Sequence, residues 1–526
     1  MRSTMRFFIR KLLPLTLTLL LILPDIARAT NMGDSLVIGI QSTKTTLIEP
    51  LDPVERDMMS IYDLVYESLI VIDDDYLPQP GLAESWEESG NGKTWTFHLR
   101  ENIFFSDGTP MTAHDVVATA QYILDRANEE DSQTPGYYFN LKYFVSKISA
   151  SGDHTVVVKT ASGRNYYGLL YAMTFPVLPK DRVSSPNPPG TGAYMISTFE
   201  PANYIWLQQN PHWWQTKPQV QEMMVIMHDS PSAVIESYEY ARVDTVFTRS
   251  IAAAQHKNGS TSLALDYRTN QLETVLINHK SFPLDSLAVR QAIRYLIDPD
   301  KIAKQVYMGM VERTDTPMIP GTWMYNDTLS DYFKTDIEAA RALLEADGWA
   351  DTNDDTILDK TGSDGKQKNL HLRIYVYEEP DNNVRVETAN LIADMLGQVG
   401  ISTKIEIMTF TDIQKKLKAA SFDLAIASFA MDVCPDPGYL LMTGNTGNYG
   451  LYKSNDMTSL CKDLRTQLTQ DGFKQSLWNI QARFAEDVPF ICLFYRSGSV
   501  LTRQMYTTAR DVRELELLRG IETFHP

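Results

Sequence analysis

Runs of apolar residues with two different spacings divide the chain into predicted strands and helices. In the first half, an apolar run at residues 36–40, alternation at 94–99 and a run at 155–159 predict strands. Residues 61–72 have the spacing of a helix that leads into a strand, and Thr112 opens a helix with a capping-box pattern. The proline-rich segment 177–189 is typical of a linker.

The second half has a more regular pattern. Residues 287–297 form an amphipathic helix that ends at Asp298-Pro299, and a second helix runs from Thr335 to Gly348. Strands are predicted at 370–377, 401–407 and 422–430, with helices up to Val399 and from Asp412 to Ala420 between them. Alternating strands and helices predict an α/β domain with a largely parallel sheet.

The N-terminus has the pattern of a secretory signal. Basic residues precede an apolar run at 12–24, and Ala27-Arg28-Ala29 follows as a small-x-small cleavage pattern. The apolar run is short for a membrane span, so we expect residues 1–29 to be removed and the protein to be secreted. In an oxidising compartment one disulfide is possible, and its pairing stays open among the three cysteines Cys434, Cys461 and Cys492.

Composition excludes several classes of protein. The 526 residues are 43% hydrophobic and carry a net charge of -18, so the chain is globular and a poor nucleic-acid binder. It contains no nucleophile elbow, P-loop or HExxH motif, and its nine histidines are scattered, so we expect no enzyme, metal or cofactor. Residues 351–359 begin like a calcium loop but lack its Gly and Glu, which favours a polar hairpin.

Asp432 is the sharpest candidate for a binding residue. It directly follows the predicted strand at 422–430 and opens a proline-rich loop, and ligands bind beyond the carboxyl ends of strands in α/β sheets. A carboxylate there can hold an ammonium group, although an Asp that caps its own turn has the same sequence pattern. Trp323, in a loop that contains proline and glycine, is expected to face a ligand.

Many segments of the chain, in order, resemble the extracellular solute-binding proteins of family 5, the dipeptide-, oligopeptide- and nickel-binding receptors of ABC importers. The longest is a specific block at 82–116. The others are LDP (51–53), VYESL (65–69), GTGAY (190–194), NPHWW (210–214), FPLDSLAVRQAIRYLID (282–298), ALLEADGW (342–349) and Asp436-Pro437. The resemblance covers nearly the whole mature chain.

This resemblance implies a periplasmic-binding-protein-like α/β fold of cluster C type, with two lobes around a hinged cleft and an extra inserted domain. Domain I would comprise residues 30–70, 187–267 and 497–526, domain II residues 71–186, and domain III residues 268–496. The lobes would be joined by two crossings, at 265–270 and 492–496. Closure around a ligand needs no covalent chemistry.

The resemblance also implies a function and a site. In peptide-binding members, an Asp at the position like Asp432 holds the α-amino group; here it lies four residues before Asp436, one more than is usual. Arg268 and Arg496 are candidates for the α-carboxylate on location only. The expected site comprises Asp432, Met431, Asp436, Trp323, Arg268, Thr45, Thr46 and Leu47.

We therefore expect a monomeric, secreted receptor that delivers short peptides to the membrane permease of an ABC importer. It would be periplasmic, or associated with the cell surface where there is no outer membrane. Two alternatives stay open: the same fold could bind nickel, a metal chelate or a sugar, or the protein could be a peptide-holding chaperone or signalling receptor without transport.

Overall fold

The computed structural model describes most of the chain. The described ranges are residues 35–53, 55–128, 137–164, 166–256, 263–362, 365–379, 382–503 and 512–520. The predicted signal at 1–29 lies outside them. No helix within these ranges combines the length and apolarity that a membrane span requires.

The strands are named β1 to β19 in chain order. They are β1 (Ser35–Gln41), β2 (Ile70–Ile72), β3 (Pro78–Pro80), β4 (Ala83–Ser89), β5 (Thr94–Leu99), β6 (Val145–Ala150), β7 (Thr155–Thr160), β8 (Tyr194–Glu200), β9 (Tyr204–Gln209), β10 (Glu222–His228), β11 (Thr245–Thr248), β12 (Leu263–Ile277), β13 (Val311–Arg313), β14 (Asp359–Thr361), β15 (Gln367–Asn369), β16 (His371–Tyr377), β17 (Ser402–Met408), β18 (Leu424–Ala430) and β19 (Phe490–Thr502).

The helices are named α1 to α13. They are α1 (Arg56–Asp63), α2 (Ala113–Ala127), α3 (Leu141–Phe144), α4 (Leu169–Ala172), α5 (Pro231–Glu239), α6 (Leu287–Leu296), α7 (Pro299–Gln305), α8 (Ile337–Ala346), α9 (Val384–Gly397), α10 (Phe410–Lys418), α11 (Gly438–Leu441), α12 (Asn455–Leu464) and α13 (Gln470–Asp487). Two 3₁₀ helices lie at Ile251–His256 and Asp327–Phe333.

One large sheet runs through the molecule, and it is mixed. Its order is β17-β16-β18-β12-β19-β11-β1-β10-β9-β8, and β13 also pairs with β19. β16, β17 and β18 are parallel to one another, and so are β1, β10 and β11, whereas β12 and β19 run antiparallel to their neighbours. The expectation of a largely parallel sheet rested on the strands now named β16 to β18 and is confirmed for them. The centre of the sheet is antiparallel, because β12 and β19 pair with each other over a long range.

β12 and β19 join the two lobes of the fold. We call the part built on β1 and β8–β11 the first lobe, and the part built on β16–β18 the second lobe. Leu263 to Arg268 pair with the end of β19, and Gln271 to Ile277 pair with β18 as well, with a register shift between Arg268 and Leu272. The strands thus pass between lobes where their pairing is irregular. The domain boundaries given above stay a prediction.

We call the part of the chain from β2 to α4 the inserted domain, and it contains a four-stranded antiparallel sheet of order β4-β5-β7-β6. Trp95, Phe97 and Leu99 of β5 are buried, while the residues between them are partly exposed, as alternation predicts. α2 covers this sheet and begins at the predicted capping box, where the Thr112 backbone N–H donates to Asp115 Oδ2 at 2.8 Å.

The GTGAY segment places glycine where two stretches of backbone nearly touch. A Cβ on Gly190 would lie 1.9 Å from the carbonyl oxygen of Val65, and one on Gly192 would lie 2.5 Å from that of Leu64. The Gly192 N–H donates to Val65 O at 2.9 Å. Only glycine allows this contact between the first lobe and the chain that returns from the inserted domain.

Two further expectations can be compared with the structure. The segment 351–359 is a polar turn closed by a bridge between Ala350 and Asp359, and Asp351 accepts hydrogen bonds from the backbone of Asp355 and Thr356, which confirms a hairpin. The three cysteines are free thiols, so the structure contains no pairing among them.

Candidate functional site

The carboxyl ends of the parallel strands in both lobes carry the polar side chains of the candidate site. In such sheets, loops at these ends converge on a ligand. The last residues of the parallel strands are Gln41, His228 and Thr248 in the first lobe, and Tyr377, Met408 and Ala430 in the second.

Asp432 lies two residues beyond β18 and is accessible to solvent. Its Oδ1 accepts a hydrogen bond from the backbone N–H of Cys434 at 3.2 Å, so one oxygen does cap the local turn. Its Oδ2 accepts a hydrogen bond from the side-chain amide of Asn140, which belongs to the inserted domain. The carboxylate therefore caps its own turn and also contacts another domain, and its binding of an ammonium group stays a prediction.

Protein atoms surround Asp432 even though water reaches it, as expected on the wall of a cleft. This desolvation raises the pKa of Asp432 above its ordinary value, and the hydrogen bonds from Cys434, Asn140 and Val433 oppose the shift. An ammonium group placed beside Asp432 would restore the charged form.

Asp436 anchors the loop after Asp432. It accepts hydrogen bonds from Arg465 at 2.7 and 3.2 Å, from the Tyr166 hydroxyl at 3.0 Å and from the Gly438 N–H at 2.9 Å, and Arg164 lies 3.4 Å away. Because Arg164 and Tyr166 belong to the inserted domain, Asp436 holds that domain against the second lobe. Its role as a ligand contact stays a prediction.

Thr45, Thr46 and Leu47 lie in the loop after β1, which Glu55 organises. Glu55 accepts hydrogen bonds from the Thr45 hydroxyl at 2.8 Å and from backbone N–H groups of the same loop. Burial alone would raise the pKa of Glu55, but these hydrogen bonds lower it. Thr45 is buried and Thr46 is exposed. Leu47 is 51% exposed, so much of its apolar side chain faces solvent and does not pack in the core.

Trp323 is half-buried at a contact between the second lobe and the inserted domain. Its ring lies 6.3 Å from the ring of Phe473, and its Nε1 donates to the carbonyl of Tyr76 at 3.4 Å. Phe473 also contacts Tyr166 and Tyr167 of the inserted domain. Trp323 thus lies among aromatic side chains that connect the two parts.

Arg268 and Met431 lie where the strands cross between lobes. Arg268 forms an ion pair with Glu312 of β13. The Met431 N–H donates to Asn270 O at 2.8 Å, and its sulfur accepts a hydrogen bond from the Tyr439 hydroxyl at 3.2 Å. Met431 is buried.

Arg496 belongs to a compact cluster of four charges at the crossing. Glu273 lies 2.6 Å from both Arg385 and Arg496, and Glu379 pairs with the same two arginines. The positive charges of the two arginines balance the negative charges of the two carboxylates. This balance lets the nearly inaccessible Glu273 and Arg385 stay charged. Arg496 is therefore already engaged by two carboxylates.

A second charged cluster, which the sequence did not reveal, lies in the first lobe. Arg249, one residue beyond β11, binds Asp57 at 2.9 Å and Glu514 at 3.1 Å, and Arg56 lies 3.2 Å from Glu514. Glu514 also accepts the backbone N–H of Asn270 at 2.6 Å. These partners are far apart in sequence, so only their position after strand β11 could have indicated Arg249.

Tyr137 connects the two charged regions. Desolvation raises the pKa of its phenol, and the carboxylates of Asp432 and Glu514 raise it further while Arg56 lowers it. Tyr137 is 41% exposed and stacks edge-on against Tyr138 at 4.9 Å. Tyr137 thus lies close enough to both Asp432 and Glu514 to interact with their charges.

Within the described ranges, no group of three His, Cys, Asp or Glu side chains could hold a metal ion. An open hollow of about 660 Å³ lies elsewhere in the second lobe, lined by Lys280, Lys418 and Lys453 among others. It is near the amino end of β18, at the edge opposite Asp432.

The chain is similar to known proteins in sequence and in fold. The family model described as bacterial extracellular solute-binding proteins, family 5 Middle, matches residues 78–450. The chain is 24% identical over 521 residues to the oligopeptide-binding protein AppA of Bacillus subtilis (strain 168), covering 92% of this chain and 91% of that protein.

Two solved structures share the fold. AppA from Bacillus subtilis in complex with a nonapeptide has a TM-score of 0.67 and 21% identity, covering 94% of this chain and 98% of that one. NikA from Brucella suis in complex with Fe(III)-EDTA has a TM-score of 0.75 and 18% identity, covering 93% and 99%. The two-lobed solute-binding fold therefore applies to nearly the whole described chain.

Proposed function

Because the chain belongs to the bacterial extracellular solute-binding proteins of family 5, we propose that it captures short peptides between its lobes and delivers them to an ABC-type importer. Relatives described as oligopeptide- and dipeptide-binding proteins support a peptide ligand. The protein binds and closes, and we assign it no catalytic step.

The observation that carries this proposal is the environment of Asp432. Its carboxylate is accessible, is desolvated by the protein around it and is close to Asn140 of the inserted domain. A charge-assisted hydrogen bond to a peptide ammonium would satisfy it better than a neutral amide does. A peptide held there would contact both sides of the cleft and so stabilise the closed form.

We propose the remaining site residues as the walls of the same cleft. Thr45, Thr46 and Leu47 would contact the ligand from the first lobe, and Trp323, Met431, Asp436 and Arg268 from the second. The domain boundaries at 71, 187, 268 and 497 belong to the same proposal. Residues 1–29 would direct secretion, to the periplasm or, without an outer membrane, to the cell surface.

Native mass spectrometry tests the ligand class. The mature protein is purified from cells without refolding and weighed before and after denaturation. A ladder of co-purified masses that fragment as peptides is the expected result. A single mass that does not fragment as a peptide, or an increment the size of nickel, would favour the alternative of a metal, a chelate or a sugar.

If no ligand co-purifies, the protein is tested by thermal shift with tri-, tetra- and penta-alanine. A ligand that binds only the folded state raises the melting temperature. If no peptide raised it and nickel or a chelate did, the proposal would be wrong. A permease gene beside the receptor gene would favour import over a chaperone or signalling role.

A further inference from the structure

Several buried polar atoms near the crossing between the lobes have no hydrogen-bond partner among the described residues, and three of them belong to one connected group. These three are the hydroxyl of Tyr267, Nη2 of Arg249 and Oδ1 of Asn270. Tyr267 is only 3% exposed. A buried polar group without a partner costs stability, so each such group calls for a physical reason, and a ligand or water that completes it is one.

These atoms belong to one connected group. The Tyr267 phenol interacts electrostatically with the guanidinium of Arg249, and Glu514 binds Arg249 through one oxygen and the Asn270 N–H through the other. Asp57 holds Nη1 of Arg249 at 2.9 Å, which leaves Nη2 as its unused donor. Ion pairs therefore fix the guanidinium, while its Nη2 has no hydrogen-bond partner among the described residues.

The position of Tyr267 is also fixed. It pairs with Gly498 of β19, and a Cβ at position 498 would lie 2.4 Å from the hydroxyl and ring of Tyr267. Glycine thus makes room for the phenol against the backbone. A donor that is held in place before binding loses little entropy when a ligand arrives.

The group lies within reach of a ligand anchored at Asp432. Tyr137 interacts with the charges of Asp432 on one side and with Glu514 and Arg56 on the other, and Tyr267 interacts with Glu514 and Arg56 as well. Asn270 accepts a hydrogen bond from the Met431 N–H, next to Asp432 in sequence. These contacts place the group close to Asp432.

Charge selects the ligand group. Arg56 and Arg249 are balanced by Asp57 and Glu514, so an added carboxylate would meet two existing carboxylates with no spare positive charge. A neutral peptide group brings one acceptor for the donors of Arg249 and Tyr267 and one N–H for Asn270 Oδ1. On the basis of the proposed function, we propose that Arg249, Tyr267 and Asn270 bind an internal peptide group of the ligand.

The variant Tyr267→Phe tests this because it removes only the hydroxyl. Without ligand, its melting temperature should equal or exceed that of the wild type, since no partner is lost. Its affinity for the tightest-binding of tri-, tetra- and penta-alanine should fall about three- to tenfold by calorimetry. For the same peptide with a C-terminal amide, Tyr267→Phe should bind more weakly than the wild type by the same factor, because the peptide group bound is internal.

Tyr238→Phe is the matched control. Tyr238 is also buried and has an unpartnered hydroxyl, but it lies on α5 in a separate core. The affinity of Tyr238→Phe for the same peptide should equal that of the wild type. Asn270→Ala, as a second variant, should also weaken binding.

Each other outcome has a distinct meaning. Unchanged affinity in Tyr267→Phe, or a melting temperature below that of Tyr238→Phe, would overturn this inference and leave the proposed function intact. A loss seen for the free acid and absent for the amide would assign the group to the terminal carboxylate. If the wild type binds none of the three peptides, the proposed function is overturned as well.

Discussion

Asn140 of the inserted domain donates its side-chain amide to the carboxylate of Asp432 on the second lobe. The contact brings together two parts of the chain that lie far apart in sequence, at the place where a ligand ammonium is proposed to bind. Without ligand, the neutral amide of Asn140 occupies this position. A cation in the same position would form a stronger, charge-assisted hydrogen bond with Asp432.

Asp432→Asn should weaken the binding of tri-alanine about ten- to hundredfold, because a charge-assisted hydrogen bond to the ammonium is lost. Calorimetry measures this directly. N-acetyl-tri-alanine, which has no ammonium, should bind wild type and variant alike. Asp412→Asn, at an exposed carboxylate of α10 paired with Lys415, is the control. Equal tri-alanine affinity in wild type and Asp432→Asn would remove Asp432 from the site.

Asp436→Asn should lower the free energy of unfolding by about 3 kcal/mol, because it leaves the guanidinium of Arg465 buried without its carboxylate. Urea denaturation gives the value, and Asp412→Asn, at an exposed carboxylate, should unfold like the wild type. If Asp436→Asn is as stable as the wild type but loses peptide affinity, then Asp436 is a ligand contact and its structural role is minor.

Glu67→Gln should change how stability depends on pH. Burial raises the pKa of Glu67 from 4.5 to about 7, with Trp214 Nε1 donating to its oxygens at 3.0 and 3.1 Å. The folded state thus holds this proton more tightly than the unfolded state, so its contribution is complete below pH 4.5 and is lost as the pH rises through about 7.

Between pH 5 and 8 the wild type should therefore lose up to about 3 kcal/mol more unfolding free energy than Glu67→Gln. Urea denaturation at the two pH values measures the difference. Identical losses in the two proteins would show that Glu67 titrates in the folded state as it does in the unfolded chain.

Gly190→Ala should destabilise the protein by more than about 3 kcal/mol, because the added methyl would overlap the carbonyl oxygen of Val65. Thermal or urea unfolding measures this loss. Gly397→Ala is the matched control: it lies in α9 with no atom within 4 Å of the added Cβ, and it should be neutral or slightly stabilising. Wild-type stability in Gly190→Ala would show that the backbones separate at no cost.

Local patterns predicted individual elements well. The strand at Thr94–Leu99 and the helix at Leu287–Leu296 are confirmed because alternation and helical spacing depend only on neighbours in sequence. Asp298-Pro299 correctly ends that helix, but Asp298 also caps α7, which begins at Pro299 and was not predicted. An Asp-Pro pair supports both a stop and a start.

Long-range contacts could not be predicted in this way. The position of Asp432 after a buried strand was readable, but its partner Asn140 was not, because the tertiary fold brings them together. β12 contains the polar stretch at 268–271, which masked a strand that continues across the lobes. Arg249 and Glu514 become a pair only once the last segment of the chain returns to the first lobe.

The last strand of the large sheet also sets the order in which the chain can fold. β19 lies between β12 and β11, with Leu263 paired to Thr502 and Leu276 to Phe490, so the sheet stays in two pieces until almost all of the chain is available. Such non-local pairing makes folding slow. The chain is proposed to cross a membrane before it folds, and this delay keeps the nascent or translocating polypeptide unfolded. A truncation before β19 would leave both halves of the sheet with unpaired edge strands.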